Sequence, residues 1–149
     1  MKFLCDQMLG TLAKWLRIMG YDAAYAEKGN DNEIIELAER EDRVLLTRDR
    51  ELSSRYKNSL LIDGTELEYQ IKKVVNSLGI DIDRKNYLSR CTVCNIPVKK
   101  ISKEYAKGKV PSHAYESHDE FWICPNCKRI YWKGTHYENM KQFIERLGL

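Results

Sequence analysis

The chain has 149 residues, 43% hydrophobic and 32% charged, with a formal net charge of +3, five Cys and three Pro. That length suits one domain, or one with a small appendage, and excludes a large multidomain enzyme. No run approaches the roughly 18 apolar residues that would span a bilayer, and Asp6 interrupts the start before a secretory apolar region forms, so the sequence predicts a cytoplasmic protein whose cysteines are metal ligands or buried thiols.

Lys2–Cys5 reads as a short buried strand, and Met8, Leu9, Leu12, Leu16 and Met19 mark a helical stripe that Gly20 ends. Residues 22–26 suit a second strand, and Asn30 to Glu33 opens a helix with Ile34, Leu37 and Ala38 inward. Residues 43–47 form the clearest buried strand, 49–56 a helix, 60–62 a fourth strand, and Thr65 starts a helix ending near Leu78. The order βαβαβαβα predicts an α/β layer structure with a mostly parallel sheet. Residues 79–86 are a polar connection.

A cut after Leu88 separates two charge regimes. Residues 1–88 carry 14 Lys+Arg against 16 Asp+Glu, net −2, and residues 89–149 carry 11 against 6, net +5, which together give the chain's +3. The basic part suits a polyanionic partner; a solvated surface is the plainer alternative.

In open α/β sheets ligands bind beyond the carboxyl ends of strands. Asp6 follows the first strand, Asp31 opens the helix after the second, and Asp49 follows the third. If the three converge, their repulsion calls for a hard cation, Mg²⁺ or Mn²⁺, and such a site suits phosphodiester hydrolysis. Lys14, Arg17, Arg48 and Arg50 are candidates for phosphate contacts. Each acid also stands at a helix start, where capping alone accounts for it, and Asn30 with Glu33 has capping-box spacing.

The strongest spacing is Cys91-Thr92-Val93-Cys94 and Cys124-Pro125-Asn126-Cys127, two C-x-x-C pairs 29 residues apart. Four thiolates complete a tetrahedral zinc shell and leave no position for water, so the metal is structural; a redox dithiol is the alternative and seldom needs a second pair. With little apolar material around it, this unit should fold on the ion. Cys5 has no partner spacing and reads as a buried hydrophobe. Phe121-Trp122-Ile123 and Ile130-Tyr131-Trp132 form hairpin arms whose aromatics, beside Lys128, Arg129 and Lys133, suit stacking on unpaired bases or packing against the first unit. Thr135 with Glu138 suits a capping box for a last helix bearing Met140, Phe143, Ile144 and Leu147 as core or interdomain contact.

The stretch from Asp6-Gln7-Met8-Leu9-Gly10 to Gly20-Tyr21-Asp22, the segment Leu46-Thr47-Arg48-Asp49-Arg50, the cysteine pairs and Tyr131-Trp132-Lys133-Gly134-Thr135-His136 resemble the PIN-like Mut-7 C-terminal RNase domain family, over essentially the whole chain. The resemblance implies a three-layer PIN-like nuclease fold in residues 1–88 joined to a zinc ribbon with a terminal helix in 89–149. It further implies endoribonuclease activity with Mg²⁺ or Mn²⁺ at Asp6, Asp31 and Asp49; many PIN nucleases carry a fourth acid, for which Asp63 is the candidate. His136 lies in the family pattern, as a phosphate contact or a hydrogen bond holding the turn. Two functional readings follow: a metal-dependent RNase whose ribbon grips RNA, or a non-catalytic RNA-binding or protein-interaction module with a degenerate acidic site.

Overall fold

A computed structural model describes residues 1–149. Strands β1 (Lys2–Cys5), β2 (Asp22–Tyr25), β3 (Val44–Thr47) and β4 (Ser59–Leu61) alternate with helices α1 (Gly10–Ile18), α2 (Asp31–Arg40), α3 (Arg50–Arg55) and α4 (Leu67–Leu78). All strand pairs in this sheet are parallel, in the order β2-β1-β3-β4, as the alternation of elements predicts. No helix is long and apolar enough to cross a membrane.

Alternation along the strands sorts the core into two layers. Phe3, Cys5, Val44 and Leu46 face α1 and α4 through Leu12, Leu16, Ile71 and Val74. Leu4 and Leu45 face the other way, onto Ile34 and Ala38 of α2 and Leu52 of α3. Burial pushes the Cys5 thiol well up, with the Asp6 charge adding to it, so Cys5 stays a neutral packing group.

Beyond α4, strands β5 (Lys99–Ile101), β6 (Phe121–Ile123) and β7 (Ile130–Tyr131) form a small antiparallel sheet, with short helices α5 (Lys103–Ala106) and α6 (Ser112–Ser117) between β5 and β6. The last helix, α7 (Thr135–Arg146), returns to the first sheet. Its Met140 and Ile144, followed by Leu147, join the same core as Phe3 and Val74, and Phe143 meets Trp15 at 4.5 Å between ring centroids. The helix starts one residue away from the expected capping box. Gly134 is the N-cap, Thr135 the first helical residue, and no side chain caps the end. A Cβ at position 134 would lie 2.7 Å from Trp132 Nε1, so glycine at the cap is what admits the indole.

Candidate functional site

Parallel strands place all their carboxyl ends at one edge. The order β2-β1-β3-β4 makes the neighbouring ends of β1 and β3 the point where the winding reverses, which is where such sheets bind ligands. Cys5 and Leu46 are register partners there, so the chain delivers Asp6 and Asp49 side by side. Asp6, 5% exposed, accepts the Met8 amide at 3.1 Å on Oδ1. Its Oδ2 accepts the Arg48 amide at 3.3 Å and the Thr47 hydroxyl. The same Thr47 oxygen accepts the Asp49 amide at 3.0 Å. One fully buried hydroxyl thus ties the two acids together. Asp49 also caps α3, with the Glu51 and Leu52 amides both on Oδ1.

Asp31 takes another partner. It lies in the first turn of α2, behind the Asn30–Glu33 capping box that its spacing predicts, and pairs with Arg55 at 3.5 Å. Asp63, after β4, accepts the Tyr69 hydroxyl at 2.6 Å, and that bond holds its carboxyl below the usual range. Each strand of the sheet is therefore followed by an acid on the same edge. The cysteines gather into a metal-competent group, whereas the three expected acids do not form one. Arg48 is half-buried with its Nε unpaired, while Lys14 and Arg50 are exposed.

The four cysteine sulfurs all lie within 4.8 Å of one another. Two turns of one build hold them: the Cys91 and Cys124 amides bond the Ile96 and Arg129 carbonyls at 2.8 and 2.9 Å. The Asn95 and Lys128 amides return to the Cys91 and Cys124 carbonyls at 2.9 Å. Asn95 and Lys128, each just after its pair, take left-handed φ of 59° and 65°. A tetrahedron with bonds of about 2.3 Å has edges of roughly 3.8 Å, and the Cys91 and Cys127 sulfurs stand 3.7 Å apart. The donor set fits zinc in number, chemistry and spacing. Burial disfavours the Cys91 thiolate, but the Tyr131 hydroxyl and nearby amides outweigh it and bring the group down to about 6. The Arg129 amide draws Cys127 down, yet burial and the neighbouring thiols carry it up to about 11. Sulfurs packed this closely repel one another as thiolates, and a dication offsets that repulsion.

The first cysteine turn docks on β2. Asn95 Oδ1 accepts the Ala23 amide at 3.0 Å, and its Nδ2 donates to Asp22 at 2.7 Å. Arg43 bonds the same Asp22 oxygen at 2.7 Å. Arg17, expected at a phosphate, instead donates to the Ala23 carbonyl at 2.7 Å and the Thr92 carbonyl at 2.9 Å. Burial raises the Asp22 carboxyl, but the bonds from Arg43 and Asn95 outweigh it and hold the group below its ordinary 3.8. A depressed carboxylate stabilises the fold fully above its ordinary value, and that contribution fades as pH falls through the folded value. Asp22→Asn is expected to cost about 1–3 kcal/mol at neutral pH and to leave stability flatter between about pH 4 and pH 2, read from denaturant midpoints.

Lys128, Arg129, Lys133 and His136 are exposed around the second cysteine turn and the start of α7. The segment leading into α7 is held by His118, whose Nε2 lies 3.2 Å from the Lys133 carbonyl. Thr47 is silent in the sequence because it reads as an ordinary strand-former, whereas Asn95 does carry a signal, since Asn directly after a C-x-x-C is one of the few residues suited to a left-handed turn.

A family model described as the Mut7-C RNAse domain matches residues 1–144. A human (Homo sapiens) protein described as "Exonuclease mut-7 homolog" is 28% identical over 114 residues, which is 71% of this chain and 13% of that protein, so the chain spans a small part of that relative's length. No solved structure matches.

Proposed function

Because the chain belongs to the Mut7-C RNase domain family, we propose that it is a metal-dependent ribonuclease that hydrolyses RNA phosphodiester bonds at the acidic edge of its parallel sheet. The observation that carries this reading is the pairing of Asp6 and Asp49 through Thr47 at the β1/β3 switch point. In this reading Asp6 and Asp49, with Asp31, hold Mg²⁺ or Mn²⁺. Such an ion lowers the pKa of a water it binds and offsets phosphoryl charge.

The chain's own residues do the rest. Thr47 and the Met8 and Arg48 amides fix the Asp6 carboxylate, and both capping bonds of Asp49 fall on one oxygen, which frees the other. Lys14, Arg48 and Arg50 supply cations for the RNA backbone. Residues 1–88 then carry the chemistry, while 89–149 hold zinc at Cys91, Cys94, Cys124 and Cys127 and present Lys128, Arg129, Lys133 and His136 to the substrate. A cytoplasmic setting suits the free thiols. Endonucleolytic cleavage belongs to the same proposal.

The wider setting of Asp31 against Arg55 favours a second reading, an RNA-binding module without catalysis. Zinc-loaded protein passed over a chelating resin, then assayed on labelled single-stranded and structured RNAs with Mg²⁺, Mn²⁺ or neither, separates the two. Cleavage that appears only with added divalent ion is expected. RNA binding with no cleavage in any condition points to the module.

A further inference from the structure

A cavity of about 160 Å³ lies where the connection after α4 meets the small sheet and the start of α7. Its walls include the rings of Tyr87, Trp122, Tyr131, Trp132 and Tyr137, its cations are Lys85 and Lys133, and no Asp or Glu lines it. We propose that this cavity is a binding pocket for one unpaired nucleobase of a single-stranded RNA, with Lys85 and Lys133 holding the phosphates beside it. This rests on the RNA substrate of the preceding reading.

Shape and charge select the occupant. The volume is below the roughly 300–1,000 Å³ of sites for drug-sized ligands, so it admits a single flat group and not a whole oligonucleotide. Aromatic walls of this kind also suit quaternary ammonium groups. Two lysines on the rim exclude those and favour a ring tethered to negative charge. Lys133 Nζ already stands 5.8 Å from the Trp122 ring centroid and 5.7 Å from that of Tyr137, so a phosphate it held would leave its base among the same rings. Paired and stacked bases in a duplex cannot enter, whereas splayed bases stack on aromatics.

The walls are fixed in advance. Trp122 and Tyr131 are cross-strand register partners. The Tyr131 hydroxyl donates to Cys91 Sγ at 3.2 Å and accepts the Thr92 amide at 3.3 Å, which ties one wall to the cysteine cluster. Trp132 packs on Phe121 at 6.3 Å between centroids. A neighbouring cleft of about 460 Å³ shares Tyr131 and Trp132, adds Arg129, His118 and His136, and again contains no carboxylate. It gives the strand an anion-tolerant path out of the pocket.

The test uses the full zinc-loaded chain with no Mg²⁺ or Mn²⁺. A labelled single-stranded oligonucleotide is compared with an abasic ribose-phosphate chain of equal length and with an RNA duplex. The base-bearing strand is expected to bind about tenfold tighter than either, and Trp122→Leu to remove that advantage while leaving abasic binding unchanged. Tyr137→Phe, which keeps the ring, should bind like the parent, and Lys133→Gln should weaken all anions and lower the salt slope. Should Trp122→Leu not fold, quenching of tryptophan fluorescence by a mononucleotide, absent with ribose phosphate, carries the same decision. Equal binding of abasic and base-bearing strands overturns the pocket, as does equal competition by a Glu-Tyr peptide, which would point to a protein partner. A protein that passes these tests but cleaves nothing overturns the nuclease reading and leaves the pocket standing.

Discussion

Replacing Cys124 with serine is expected to unfold most of residues 89–134 and to abolish stoichiometric zinc binding. Cys124 and Cys91 are fully buried, so the site cannot lose a sulfur and refill with water at no cost. Structural zinc contributes on the order of 10–16 kcal/mol to folding where the apo form is unstructured, comparable with the roughly 5–15 kcal/mol that separates most domains from their unfolded state. Little else holds this region. Phe121, Ala106 and Ala114 are its only buried apolar residues apart from the two cysteines between Cys91 and Gly134. Elemental analysis should give about one zinc per chain for the parent and none for the variant, with early proteolytic cuts between the two cysteine pairs. A metal-free variant that resists protease like the parent would falsify the structural role. Because α7 belongs to the first core, it should stay protected when the segment before it is cut.

Asp49→Asn is expected to lower cleavage by at least about a hundredfold, the low end of the loss when one group that stabilises developing charge is removed. Folding should be nearly unchanged, since asparagine caps a helix as well as aspartate and both bonds at Asp49 reach a single oxygen. Asp6→Asn should lose as much activity and also about 1–3 kcal/mol of stability. Both Asp6 oxygens accept hydrogen bonds, and an amide nitrogen on either side would face a donor. Asp31→Asn, already occupied by Arg55, should lose less. The order of rates in one divalent-supplemented assay, beside melting temperatures, tests the site. If Asp49→Asn cleaves at the parental rate, the acidic edge is not where the chemistry occurs.

What the sequence reveals here follows from how each signal is encoded. Strands β1 and β3 are buried on both faces, so Phe3-Leu4-Cys5 and Val44-Leu45-Leu46 stand out as apolar runs. The cysteine cluster is legible because its chemistry is in the spacing. Strand β5 is hidden because Lys99 and Lys100 are exposed and only pairing with β6 orders them. Helices α5 and α6 bury single alanines, Ala106 and Ala114, too small to make a stripe. The acids are legible from their positions after strands, but their division, Asp6 with Asp49 and Asp31 with Arg55, depends on sheet order and on a guanidinium from α3. Arg17 shows the same limit: a cation beside an acidic edge reads as a phosphate ligand until the cysteine turn occupies it.

The bonds at Ala23 also decide how the molecule behaves toward copies of itself. Strand β2 is an edge of the parallel sheet, and the outward amide and carbonyl of Ala23 are taken by Asn95 and Arg17. An uncovered edge of this kind is a template for another chain's strand. Zinc at the four cysteines would hold Asn95 in its left-handed turn and keep that template closed, so a chain depleted of zinc is expected to expose it. Zinc at these sulfurs would thus guard the protein against polymerising through its own sheet, a task separate from any grip on a substrate.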